Sequence, residues 1–254
     1  MHKSLQEKEG KDATVHPELF QRRNFLLKAG LATASAAVLL TGCNPEMIES
    51  STDVVSNPAG ARTAATNVDL GSGDIAVLNY AYLLEQLEAA FYTQAASSQR
   101  FLDRLTASDR RFFLDVRNHE IVHREFFKAA LGANAIPEVS FNFKSINFVN
   151  RNQVLATAKT FEDLGVAAYN GAGRLLQTPA FLTLAGKIVS VEARHAAYFR
   201  EILGYYDRSM LDATAFAGDD IIDENGLDLA LTPAQVIAAA APFINGEVNF
   251  SALT

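Results

Sequence analysis

The sequence predicts an all-α fold, a four-helix bundle with one long crossover between the second and third helices and a C-terminal extension. Three observations carry this prediction. Between Asp74 and Gly204, four runs of roughly 25 residues repeat their apolar side chains at intervals of three and four, the period of an amphipathic helix. Short connections join the first run to the second and the third to the fourth, whereas the whole segment 132–150 separates the second from the third. The chain has 254 residues, of which 49% are hydrophobic and 20% charged, enough to bury one good core or two small ones.

The first run extends from Asp74 to about Arg100, with Ile75, Leu78, Tyr82, Ala89 and Tyr92 in register and Ser72 or Asp74 available as N-cap. Ser108 opens the second, Asp109 to Leu131, which carries Phe112, Phe113, Val116, Ile121, Val122, Phe126 and Phe127 and stops at Gly132. Ile136-Pro137, the alternating stretch from Val139 to Phe143 and several Asn make the next segment too extended for a helix, so it reads as the crossover. The third run covers about Asn152 to Leu176. The fourth begins at Pro179 behind a Thr178 cap and ends at Gly204. Residues 205–254 add an acidic loop (Asp219, Asp220, Asp223, Glu224) and a short helix starting at Thr232-Pro233. The loop lacks the ligand spacing of an EF-hand and reads as a solvated turn. The many Ala of the bundle helices allow close helix packing.

Residues 1–42 read as an address. Arg22-Arg23-Asn24-Phe25-Leu26-Leu27-Lys28 precedes a run of small and apolar residues, Ala29 to Leu40, too short for the ~20 residues of a membrane span and suited to a signal h-region. This stretch resembles a twin-arginine export signal, and Leu40-Thr41-Gly42-Cys43 resembles a bacterial lipobox. The resemblance implies cleavage before Cys43, its lipidation, and a protein anchored on the periplasmic side of the cell envelope. The single cysteine excludes an intramolecular disulfide and a CxxC site. Residues 43–73, rich in Asn, Pro, Ser, Thr and Gly, read as a flexible tether to a bundle domain at 74–204. The body after Gly42 has a net charge of -9 and no basic run, which argues against nucleic acid as a partner.

Two Glu-x-x-His motifs carry the functional reading: Glu120-Ile121-Val122-His123 in the second run and Glu192-Ala193-Arg194-His195 in the fourth. Residues i and i+3 of a helix face the same side, so each pair presents a carboxylate and an imidazole to one point. Three His and twelve Glu after residue 42 would give only roughly 0.2 such motifs by chance, a rate that the helical context must still check. An aromatic, Phe127 or Phe199, follows each His by four. The first and third runs align without a gap from Leu84 to Tyr92 and from Phe161 to Tyr169, pairing Glu85 with Glu162. Glu88 falls opposite Gly165 and Asp163 opposite Gln86, so these two acids are satellites of the repeated pair. Tyr92 and Tyr169 either hydrogen-bond the acids or are core tyrosines with a satisfied hydroxyl. His119 has no counterpart, since Val191 stands there, and reads as a rim residue; Arg194 reads as a surface charge.

One Glu on each of two helices and Glu-x-x-His on each of two others resembles the di-iron or di-manganese site of the ferritin-like superfamily. The exported members, which also resemble desiccation-related proteins, are nearest in appearance. The resemblance implies two Fe or Mn ions per chain: Glu120 and Glu192 bridge them, Glu85 and Glu162 each bind one, and His123 and His195 each add a nitrogen. It also implies an oxidoreductase that handles peroxide or dioxygen, of peroxidase, catalase or ferroxidase type. The alternative is a non-enzymatic stress or envelope protein that uses the bundle for metal sequestration or as a structural module. The only Met residues after the signal, Met47 and Met210, lie outside the bundle, which leaves haem ligation unsupported.

Overall fold

Four long helices form two antiparallel hairpins that face each other, with their connections and the C-terminal segment wrapped around them. The computed structural model describes residues 67–210, 218 and 220–253, so the signal at 1–42, Cys43 and the tether up to residue 66 lie outside the described residues, as does Asp219. In chain order the elements are β1 (Asn67–Asp69), α1 (Gly73–Ala96), α2 (Gln99–Leu102), α3 (Ala107–Leu131), α4 (Arg151–Gly173), α5 (Pro179–Tyr206), α6 (Pro233–Ala240) and β2 (Glu247–Asn249). Helices α1 and α3 make one hairpin and α4 and α5 the other; α1 meets α4 and α3 meets α5 across the bundle. No helix among the described residues is long and apolar enough to cross a membrane.

The caps explain the boundaries and correct several expected ones. Thr106, two residues ahead of Ser108, caps α3 by accepting from Asp109 N at 3.1 Å, and Gly132 ends that helix at φ 55°. Asn150 caps α4 through Gln153 N, and Thr232 caps α6 in a reciprocal box with Gln235. Thr178 makes no side-chain cap on α5. Its own N–H and that of Gln177 instead donate to the Asp74 carboxylate at 3.0 and 2.8 Å, so the start of α1 fixes the start of α5. The first helix stops at Ala96 rather than near Arg100, because Ser98 caps the separate turn α2.

The expected tether is too long by its last residues. Val68 and Leu70 are buried, and β1 pairs in parallel with β2, bringing Val68 opposite Val248. A strand whose partner lies near the other end of the chain has no local signal. The same C-terminal segment pairs with the crossover, where Asn142 N donates to Phe243 O at 2.8 Å and Asn245 N to Ser140 O at 3.0 Å. Covered in this way, α1 is buried on nearly every side and carries apolar residues around its circumference. Two buried amides hold the crossover against it: Asn79 accepts from Ile136 N and donates to Asn134 O, while Gln86 accepts from Val139 N.

On the other hairpin, Arg200 does the comparable work. It is fully buried and forks onto both oxygens of Asp163 at 2.8 Å and onto Asp220 of the extension at 2.7 Å. The acidic loop is therefore more than a solvated turn, because Asp220 is half of a buried guanidinium's charge balance. Gly218, at φ +52°, lies so close to this pair that a Cβ would come within 2.2 Å of Arg200 Nη1. Leu231 N donates to Ala167 O at 3.0 Å, an approach that only Gly171 permits, since a Cβ there would lie 1.7 Å from Leu231 O.

Candidate metal centre

The four long helices bring Glu85 from α1, Glu120 and His123 from α3, Glu162 from α4, and Glu192 and His195 from α5 to one place inside the bundle. The four Glu are 0–1% exposed and His195 2%, while His123 keeps a 13% exposed side chain. All six expected residues converge, and they form two overlapping groups. Glu85, Glu120, His123 and Glu192 make one, and Glu120, Glu162, Glu192 and His195 the other; within each, the potential ligand atoms all lie within 4.8 Å of one another.

The shared residues divide their oxygens between the two groups. Glu120 directs Oε1 to His195 Nδ1 at 3.0 Å and Oε2 to His123 Nδ1 at 3.4 Å. Glu192 does the converse, with Oε1 2.9 Å from His123 Nδ1 and Oε2 3.5 Å from His195 Nδ1. Glu85 Oε2 faces only His123, at 3.4 Å, and Glu162 Oε2 only His195, at 3.3 Å. The second oxygen of each of these outer acids is taken by a tyrosine of the opposite hairpin. Tyr169 donates to Glu85 Oε1 at 2.5 Å, and Tyr92 donates to Glu162 Oε1. Of the two readings of these tyrosines, the structure shows the one in which they bond the acids.

This leaves a specific set of atoms. Among the described residues, nine buried side-chain nitrogen or oxygen atoms have no hydrogen-bond partner, and Tyr80 Oη is the only one outside the cluster. The other eight are Oε2 of Glu85 and Glu162, both oxygens of Glu120 and Glu192, and Nδ1 of His123 and His195. They crowd together at 2.9–3.5 Å without the directions a hydrogen bond requires. Leaving such groups unsatisfied costs ~1–3 kcal/mol each, more when charged, which a marginally stable bundle does not sustain without compensation. Eight inward-facing donor atoms in two groups of four, all oxygen or imidazole nitrogen, fit divalent metal ions, and the cluster allows metal binding.

The electrostatics point the same way. Burial raises the Glu85 and Glu162 carboxyls above the ordinary range, reinforced by the neighbouring acids and opposed by His123 and His195 respectively. Glu192 is held low, because the two imidazoles outweigh its burial. Burial opposes the charging of His123 and His195, but the surrounding carboxylates outweigh it and raise both. Protons are thus drawn into a cluster of four acids, where cations would be drawn as well.

Of the residues around the cluster, Asp163 departs from the expected pattern, while Glu88 and His119 keep their places and do more than expected. Glu88 is buried, 4% exposed, and burial with the four nearby acids raises its carboxyl well above the ordinary range. Its oxygen occupies the space facing Gly165, where a Cβ would stand 3.2 Å away, so the missing side chain of one repeat makes room for the acid of the other. Asp163 belongs to Arg200 and Lys159 rather than to the cluster. His119 sits at the rim as expected but also supports the site: its Nδ1 lies 2.9 Å from His195 Nε2 and the rings stack at 5.1 Å. Arg194 is exposed and donates to Ser190 O.

No curated protein matches the chain at a significant level. The family model described as Ferritin-like domain matches residues 73–205, the span from the start of α1 to the last turn of α5 that contains the whole cluster. The chain belongs to the ferritin-like domain family.

Proposed function

We propose that this is an exported, lipid-anchored envelope protein whose bundle holds two Fe or Mn ions and that it works in oxidant or metal handling. The observation that carries the metal reading is the set of eight orphaned donor atoms, four per group. In this reading Glu85, Glu120, His123 and Glu192 would hold one ion, and Glu120, Glu162, Glu192 and His195 the other. Such a pair of ions supplies one-electron chemistry toward peroxide or dioxygen and neutralises the four carboxylates. The protein's own residues do the rest. Tyr92 and Tyr169 fix the outer acids so that one oxygen of each stays turned inward, and His119 holds the His195 ring by its far nitrogen. Phe112 meets the His195 ring edge-on and packs with Phe199 and Phe113, which lines that side of the site with aromatic rings.

Export and anchoring rest on the Arg22-Arg23 signal and the lipobox ending at Cys43. Elemental analysis of protein produced with its native signal is expected to give two Fe or Mn ions per chain, with Glu120→Ala or His195→Ala lowering that number. A wild-type preparation with no bound metal after growth in Fe and Mn would refute the reading. Oxygen release on addition of hydrogen peroxide separates catalase-type chemistry from sequestration. Mass spectrometry of membrane-extracted protein is expected to show a lipidated Cys43 as the first residue.

A further inference from the structure

The two hairpins share their Glu and His but not the rings around them. Matching Glu120 to Glu192 sets Asp109 opposite Phe181, Phe112 opposite Leu184 and Tyr198 opposite Phe126. Beside His195 the sequence thus places an acid and a tyrosine where the His123 side has two phenylalanines. From His195 an unbroken series of contacts leads outward to the surface. Phe112 meets the His195 ring edge-on at 6.5 Å and stacks on Tyr198, with centroids 3.5 Å apart. Tyr198 and Tyr206 donate their hydroxyls to the two oxygens of Asp109, at 2.6 and 2.7 Å. Tyr206 in turn meets Tyr205 edge-on at 5.2 Å. Of the chain's seven tyrosines only Tyr205 is exposed, at 71%.

Packing alone is served as well by phenylalanine, which the repeat sets opposite Tyr198, and Tyr205 buries little of its ring. What a tyrosine adds is a hydroxyl hydrogen that can leave together with one electron. A ring that lost the electron and kept the proton would be a cation among apolar neighbours, which is costly. A carboxylate already on the hydroxyl removes that cost by taking the proton, and Asp109 stands so toward both Tyr198 and Tyr206.

We propose that Tyr205, Tyr206 and Tyr198 relay single electrons from a phenolic donor at the surface through Phe112 to His195. The inner end of this relay rests on the metal reading above. When Tyr198 gives up an electron its proton passes to Asp109. Tyr206 then reduces the Tyr198 phenoxyl radical, and Asp109 returns that proton through one oxygen while accepting the Tyr206 proton at the other. Tyr205 reduces Tyr206 in the same way and releases its own proton to water. A phenol at the surface restores Tyr205 by giving it a hydrogen atom, an exchange between like groups that is close to thermoneutral. With peroxide as oxidant, two phenols and one hydrogen peroxide yield two phenoxyl radicals and two waters.

The test uses the purified full chain with and without bound metal. In metal-stripped protein, flash photolysis with tris(bipyridyl)ruthenium(II) and a cobalt(III) ammine acceptor removes one electron from an exposed ring. A phenoxyl radical is expected by electron paramagnetic resonance, and Tyr205→Phe is expected to lose it without a change in melting temperature. Tyr206→Phe, which interrupts the relay one ring further in, is expected to hold the radical at Tyr205 and raise the yield of dityrosine-linked dimers several-fold. An undiminished radical in Tyr205→Phe, or equal dityrosine in wild type and Tyr206→Phe, would overturn the relay. In metal-loaded protein given hydrogen peroxide, guaiacol is expected to be oxidised, and both variants are expected to lose most of this activity while keeping their metal. A loaded wild type that leaves guaiacol untouched, or variants that oxidise it as fast, would overturn the proposal. Radical transfer in the stripped chain, with no metal taken up on reloading, would support the relay and contradict the metal centre.

Discussion

Each outer glutamate of the cluster has one oxygen tied to a tyrosine and one turned inward without a partner, so the two oxygens of each acid are set apart. Tyr92→Phe removes the partner of Glu162 Oε1, which is then buried without a donor. Loss of such a supporting bond typically costs 10–100-fold in metal affinity, and chelator competition is expected to show a decrease of about that size. Tyr169→Phe is expected to act similarly through Glu85. The six residues that converge were legible in the sequence, because i, i+3 spacing and a gapless internal repeat are one-dimensional signals. Glu88 and His119 were not, since their importance depends on neighbours from other helices. The repeat did mark the Glu88–Gly165 difference, but only the structure shows that the two positions share one space.

The same cluster predicts a pH dependence of metal binding. His123 and His195 have raised proton affinity, as do Glu85 and Glu162, so ions must displace protons to bind. Affinity is expected to rise with pH. Titrations of Mn(II) in buffers of different ionisation enthalpy are expected to reveal net proton release, and buffer-independent heats would contradict it.

At the scale of elements, polar contacts decide how helices and segments are joined. Asp109 in the first turn of α3 accepts from Tyr198 and Tyr206 of α5, at 2.6 and 2.7 Å, and from Thr106 at 2.8 Å. Burial works to raise its carboxyl, but these hydroxyls outweigh it and hold it below the usual range. A carboxyl lowered by folding stabilises the folded state above its unfolded value of about 3.9, and the contribution is lost as pH falls through the lowered value. Asp109→Asn is therefore expected to cost about 1.5–3 kcal/mol at pH 7. The gap in denaturation midpoint from wild type should begin to narrow as pH falls below about 3.9. A gap that does not narrow at all as pH falls below about 3.9 would mean that shape, and not charge, ties the two helices. The helices were readable from their period to within a few residues, yet the Asp74 bond to the start of α5 was not, because it joins residues about a hundred positions apart.

Arg200 makes the matching connection between α5 and the extension. Arg200→Ala leaves Asp163 and Asp220 facing each other's side of the gap and is expected to destabilise by about 3–5 kcal/mol. Gly171→Ala is expected to displace the segment at Leu231 while leaving the helices formed. Limited proteolysis should then cut near residue 231 with unchanged far-ultraviolet circular dichroism. An unchanged cleavage pattern would show that the helix and the segment can separate without loss.

Across the whole molecule, two similar hairpins form a bundle whose repeat is kept at the buried Glu and His cluster and abandoned around it. Gln86 and Asp163 occupy equivalent positions, but one pins the crossover and the other, through Arg200, pins the extension. Phe91 and Phe113 fill one side, and Ala168 and Ala185 open the other. Sequence periodicity captured the shared architecture. It missed the wrapping of residues 220–253 and the strand at 67–69, because parallel pairing between the two ends of the folded unit leaves no local pattern. Metal binding is expected to stabilise this body as a unit, so that removal of the ions lowers the melting temperature and their return restores it.

In the proposed function, Glu120 and Glu192 would serve both of two ions. Anomalous diffraction from crystals of the metal-loaded protein, recorded on both sides of the Fe and Mn absorption edges, tests it most directly. Two peaks per chain are expected, one beside Glu85 and His123, the other beside Glu162 and His195, and both in contact with Glu120 and Glu192. A single peak, or metal bound only elsewhere on the chain, would contradict it.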